Sequence, residues 1–127
     1  MMKRLAVPLL LALALTPSAV LAHGDAPRAA HGGLMQEVQE LWVELVVKGA
    51  DVAVYVVDEA RRPVPATQVS GTATVLVGGQ SYKVELSASG GDGVQGRLPT
   101  PVTGSVVALV ALKVGGKAVS ARFTSKA

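Results

Sequence analysis

Residues 72–86, TATVLVGGQSYKVEL, decide the fold class. Ala73, Val75 and Val77 alternate with Thr72, Thr74 and Leu76, and after Gly78-Gly79 the returning run sets Tyr82, Val84 and Leu86 against Ser81, Lys83 and Glu85. Period-two alternation on both sides of a two-glycine turn is the signature of a β-hairpin, because I′ and II′ turns need backbone that glycine adopts without strain. The same logic recurs at the C-terminal end, where residues 105–114 (SVVALVALKV) and 117–124 (KAVSARFT) flank Gly115-Gly116. There Val119, Ala121 and Phe123 are expected to face inward and Ser120 and Arg122 outward.

Upstream, residues 41–48 (LWVELVVK) put Leu41, Val43, Leu45 and Val47 on one face and Trp42 and Glu44 on the other. Residues 51–57 (DVAVYVV) return after a turn at Lys48, Gly49 and Ala50, giving a first hairpin. Residues 58–67 (DEARRPVPAT) read as a loop, since Pro63 and Pro65 cannot donate to a ladder. Residues 87–93 are a Gly- and Ser-rich loop, residues 94–98 a short strand, and Pro99 to Pro101 another break. Nothing longer than a helical turn is expected, and that only around residues 34–40. About seven strands with this punctuation predict an all-β, immunoglobulin-like antiparallel sandwich, with a small β-barrel of five or six strands as the alternative. Val43, Leu45, Val54, Val75, Val84, Leu86, Val110 and Phe123 are expected in the core, and Glu44, Lys83, Glu85 and Arg122 in water. Residues 105–114 are apolar on nearly every position, which predicts a central strand covered on both sides or a sheet face that meets a partner.

The first 22 residues have another character. Lys3 and Arg4 precede an apolar run from Leu5 to Leu15, and Val20, Leu21 and Ala22 form a small-residue cleavage box, so the chain is expected to be exported and cut before His23. Pro8 interrupts the apolar run, which suits a cleaved leader better than a membrane span of about 20 residues. The expected organisation is a leader over 1–22, a flexible tail over 23–35 and a β-domain over 36–127. After cleavage a soluble periplasmic protein is expected, or a secreted one if the source has no outer membrane, with no insertion in the membrane.

Twelve basic residues, less Lys3 and Arg4, leave ten against nine acidic ones, so the net charge after cleavage is about +1 and the pI of 9.5 overstates the basicity. The ten are scattered without interleaved aromatics, which excludes a nucleic-acid-binding stripe. There is no cysteine, hence no disulfide, no acylated thiol and no Cys nucleophile. The carboxylates show no paired motif and the glycine pairs lack a following Lys-Ser/Thr, so neither glycoside hydrolysis nor a phosphate cradle is indicated. An enzyme is not expected.

Residues His31-Gly32-Gly33, 42–46 (WVELV), 54–58 (VYVVD) with Pro63-Val64, and 73–76 (ATVL) before Gly78-Gly79 resemble a group of small exported β-sandwich proteins. Members of that group stand beside heavy-metal efflux systems, and similar segments occur in the periplasmic adaptor subunits of such pumps. The resemblance implies a metal-resistance context and an efflux adaptor or other envelope protein as partner.

The tail carries the metal chemistry. A cut before His23 frees an α-amine that titrates near pH 7.7 beside an imidazole, and the two can chelate one Cu(II). His31 adds a third nitrogen and Asp25 an oxygen, a donor set suited to tetragonal Cu(II). The arrangement is similar to exported copper-binding sandwiches that begin with His. Met35 and Trp42 invite comparison with small periplasmic Cu(I) chaperones that use His, Met and a Trp face; here soft coordination would rest on His31 and Met35, with Trp42 capping. The expected function is thus a periplasmic accessory of copper or other heavy-metal resistance. The alternative is a metal-free interaction module that docks through a sheet edge or the Trp42 face.

Overall fold

The computed structural model describes residues 28–125. The leader, the cleavage box, His23 and Asp25 lie outside the described residues. Eight strands form: β1 Leu34–Val38, β2 Leu41–Lys48, β3 Asp51–Val57, β4 Val69–Val77, β5 Gln80–Ala88, β6 Val94–Arg97, β7 Val107–Val114 and β8 Lys117–Thr124. The only helical element among the described residues is one 3₁₀ turn, Ala66–Gln68, so none is long and apolar enough to cross a membrane.

All neighbours pair antiparallel in one sheet, ordered β1-β2-β3-β6-β5-β4-β7-β8. β5 and β6 are joined through only two residue pairs, Ser87 with Gln95 and Ala88 with Val94. The outermost strands, β1 and β8, lie against each other, so the sheet nearly closes as a barrel. The all-β antiparallel expectation therefore holds.

The hairpins at Gly78-Gly79 and Gly115-Gly116 form as the sequence implies, with φ of 58° and 84° in the first and 58° and 86° in the second. The strand beyond the expected seven is β1. A helical turn was the expectation for residues 34–40; instead β1 and β2 make a hairpin that pairs Val38 with Leu41. Its two loop residues, Gln39 and Glu40, have φ of 51° and 70°, the left-handed pair of a type I′ turn. Neither residue favours that conformation, which is why no turn signal is visible there.

All eight expected core residues are buried, with Phe123, Val43, Val75 and Val110 fully enclosed. Lys83, Glu85 and Arg122 are exposed, as alternation requires. One expectation fails and another is met only in part. Glu44 is only 3 % exposed, because the segment before β1 folds over the outer face of β2. The second concerns residues 105–114: β7 lies inside the sheet between β4 and β8, but its outer face is bare. Val107 and Leu109 are exposed there, with Leu76 of β4 directly opposite Val107.

Candidate functional site

Strand register sets out the site before any side chain is considered. Met35 of β1 is opposite Glu44 of β2, and Glu44 is opposite Tyr55 of β3, so the three form one row on the outside of the barrel. Trp42 projects from the same face of β2, half-buried. A carboxylate in such a row costs several kcal/mol if it is taken from water without partners.

The partners come from the segment ahead of β1. A turn closed by the Gly32 N–H donating to the Ala29 carbonyl swings the chain across β2. The backbone N–H groups of His31 and Gly33 then both donate to Glu44 Oε2 at 2.9 Å. The His31 ring brings Nδ1 to 2.9 Å from Glu44 Oε1. Its flat face stacks on Tyr55, with centroids 3.6 Å apart and planes 7° from parallel. Three N–H groups on one buried carboxylate, with an aromatic platform beneath the ring, hold the imidazole in one place.

Two glycines make that approach possible. A Cβ at Gly33 would collide with the Leu45 carbonyl and with Val46, so only glycine lets the segment come close enough to reach Glu44. At Gly93, in the loop before β6, a Cβ would stand 2.6 Å from Tyr55 Cδ1 and 2.6 Å from the Val54 carbonyl. Gly93 thus leaves the space in which the Tyr55 ring lies.

A carboxylate can only accept, so in the neutral imidazole Nδ1 carries the proton and Nε2 keeps its lone pair. A second-shell carboxylate of this kind orients metal-ligating histidines and fixes their tautomer. His31 and Met35 both line a cavity of about 230 Å³, together with Tyr55, Pro63, Arg28 and Asp92. Among the described residues the lining carries no serine, threonine or cysteine. A wider groove of about 480 Å³ runs from the other side of His31 past Ala53 toward Lys48 and Asp51.

Of the four residues expected to bind metal, the fold brings His31 and Met35 to one cavity. His23 and Asp25 lie outside the described residues. Among the described residues no group of three or more His, Cys, Asp and Glu comes together to hold a metal ion. Sequence reasoning missed Glu44, expected in water, and assigned Tyr55 no role beyond its place in a strand. The usable signal was Glu44 itself, which shares its face with Trp42 and stands between the core residues Val43 and Leu45. Comparison with protein-family models, with curated proteins and with solved structures finds no match for this chain.

Proposed function

We propose that this protein is an exported, non-catalytic accessory of heavy-metal resistance or efflux, most simply for copper, that binds a metal ion through its N-terminal His-bearing segment. One observation carries this reading: a buried carboxylate, Glu44, holds His31 by its backbone N–H and ring Nδ1, takes a third hydrogen bond from the Gly33 N–H, and leaves Nε2 as the free donor. Such an arrangement costs a buried charge and two glycines, more than a linker needs. The described residues supply too few donors for a closed site, so for Cu(II) the remaining ligands are the His23 amine and imidazole, with Asp25 as an oxygen donor. His31 follows His23 by eight residues, so the chelate closes a short loop of chain. Closing it costs about 1–2 kcal/mol for each backbone residue that becomes ordered, so binding is weaker than at a preformed site.

In the same reading the protein is periplasmic, its partner is an efflux adaptor or another envelope protein, and the nearly closed sheet is flattened into an immunoglobulin-like sandwich. The two sheet halves, linked by two residue pairs between β5 and β6, support that flattening.

The test starts with the intact mass of the protein isolated from its native compartment, which is expected to begin at His23. Cu(II) titration followed by EPR is then compared among the wild type, His23→Ala, His31→Ala and a chain with one extra residue ahead of His23. A nitrogen-rich 1:1 spectrum that changes in all three variants is expected. Retention of residues 1–22, or a spectrum and affinity unaffected by the extension, overturns the chelate.

The exposed Leu76, Val107 and Leu109 on β4 and β7 favour a second reading, a metal-free interaction module. That reading takes over if Cu(II) does not bind.

A further inference from the structure

We infer that the cavity beside His31 is a soft monovalent cation site, taking Cu(I) with His31 Nε2 and the Met35 thioether sulfur as its two protein donors. This deepens the proposed function and rests on it.

Three observations and one rule of metal affinity lead there. The Nδ1 of His31 is committed to Glu44, so Nε2 is the nitrogen left to coordinate. Met35 stands next to Glu44 in the β1–β2 register, lines the same cavity and is half-buried rather than waving in water. A thioether selects soft, low-coordinate Cu(I) over Zn(II) or Cu(II), which want several nitrogen or oxygen ligands. The described residues gather no such set of hard ligands.

The rest of the lining agrees with a singly charged ion. Val56, Val57 and Pro63 contribute apolar surface that limits water. Arg28 on the same lining offsets one of the two carboxylates there, Glu44 and Asp92, so a singly charged cation balances the site. Asp92 is the other carboxylate on the lining besides Glu44, and it is an exposed residue. Glu44 is a positioning residue here: it accepts from the ring and sets which nitrogen faces the ion.

Ag(I), redox-inert and diamagnetic, is the probe. Once the leader is gone Met35 is the only methionine, so its ε-methyl gives one unambiguous NMR signal. One equivalent of Ag(I) added to the exported protein is expected to move that methyl and the His31 Nε2 resonance while Nδ1 stays protonated. Met35→Leu, which preserves volume, is expected to weaken Ag(I) at least tenfold with the remaining amide spectrum unchanged. Glu44→Gln is expected to weaken it and to mix the two ring tautomers in the metal-free protein.

A Met35 methyl that stays put at one equivalent of Ag(I), or a Met35→Leu variant that binds as well as the wild type, overturns the inference. Because the methyl shift is read in the wild type, a poorly folding variant does not blunt the test. Cu(II) EPR on the same samples separates the outcomes. Cu(II) bound with Met35 untouched by Ag(I) refutes the soft site alone, whereas binding of neither ion refutes the metal reading as well.

Discussion

Replacing Glu44 by alanine removes the group on which the N-terminal segment hangs, and its cost can be worked from the geometry. Three N–H groups lose a buried acceptor at 2.9 Å. Hydrogen bonds to a charged group contribute about 1.5–3 kcal/mol each, which for three would sum to about 4.5–9 kcal/mol, most of the stability of a domain this size. The sum is not reached, because the donors need not stay unpaired: His31 is an exposed residue and Gly33 half-buried, so the segment can lift off and give its N–H groups to water. Removing a buried carboxylate also relieves its own desolvation cost. The loss is therefore capped by the free energy of detaching residues 28–33, roughly 1 kcal/mol per bond, or about 2–4 kcal/mol in all. For a domain of this size that lowers Tm by about 10–20 °C.

Urea unfolding measures the stability, and amide exchange at His31 and Gly33 reports the segment directly. Both amides are expected to exchange as open chain in Glu44→Ala while the amides of β4, β7 and β8 exchange only with global unfolding. In a double-mutant cycle with His31→Ala, a coupling of about 1 kcal/mol is expected for the ring contact alone. A loss below about 1 kcal/mol in the single variant, or His31 and Gly33 amides as protected as in the wild type, would refute the reasoning.

Phe123 is fully enclosed on β8, and Phe123→Ala is expected to cost about 3–5 kcal/mol in chemical unfolding, with a loss under about 1 kcal/mol contradicting the packing. Gly93→Ala drives a methyl into the Val54 carbonyl and the Tyr55 ring, so a loss of about 1–3 kcal/mol is expected together with a changed ring-current shift on His31. Gln39→Asn with Glu40→Gly supplies the residues that a type I′ turn prefers at the two left-handed positions, and a gain of about 1 kcal/mol in thermal unfolding is expected. A destabilised double variant would mean that Gln39 or Glu40 makes a contact worth more than the strain it relieves.

The strands of the folded body were legible because their causes are local. Alternation between Val43, Leu45 and their neighbours, or between Val119, Ala121 and Phe123, follows from the two-residue period of extended chain, and it names the buried face wherever the strand lies. The glycine pairs at 78 and 115 mark tight turns for the same reason, since positive φ is a property of the residue itself. What depends on distant chain was not legible. Nothing in residues 105–114 says whether the second face of β7 will be covered, because covering it would need another segment to arrive there, and none of the described residues does. Gln39 and Glu40 are bent into a turn they do not favour, held by the pairing of β1 along β2. Glu44 is the clearest case. Its place on a strand face was readable, but its burial was not, since the segment that buries it lies 11 to 13 residues earlier and is short of large apolar groups. That segment is positioned by two close approaches, of Gly33 to the Leu45 carbonyl and of Gly93 to Tyr55, and by a carboxylate that must find donors once water is gone. The candidate ligands His31 and Met35 could be named from their chemistry; their sharing one cavity is a consequence of how β1, β2 and β3 align, which only the folded chain decides.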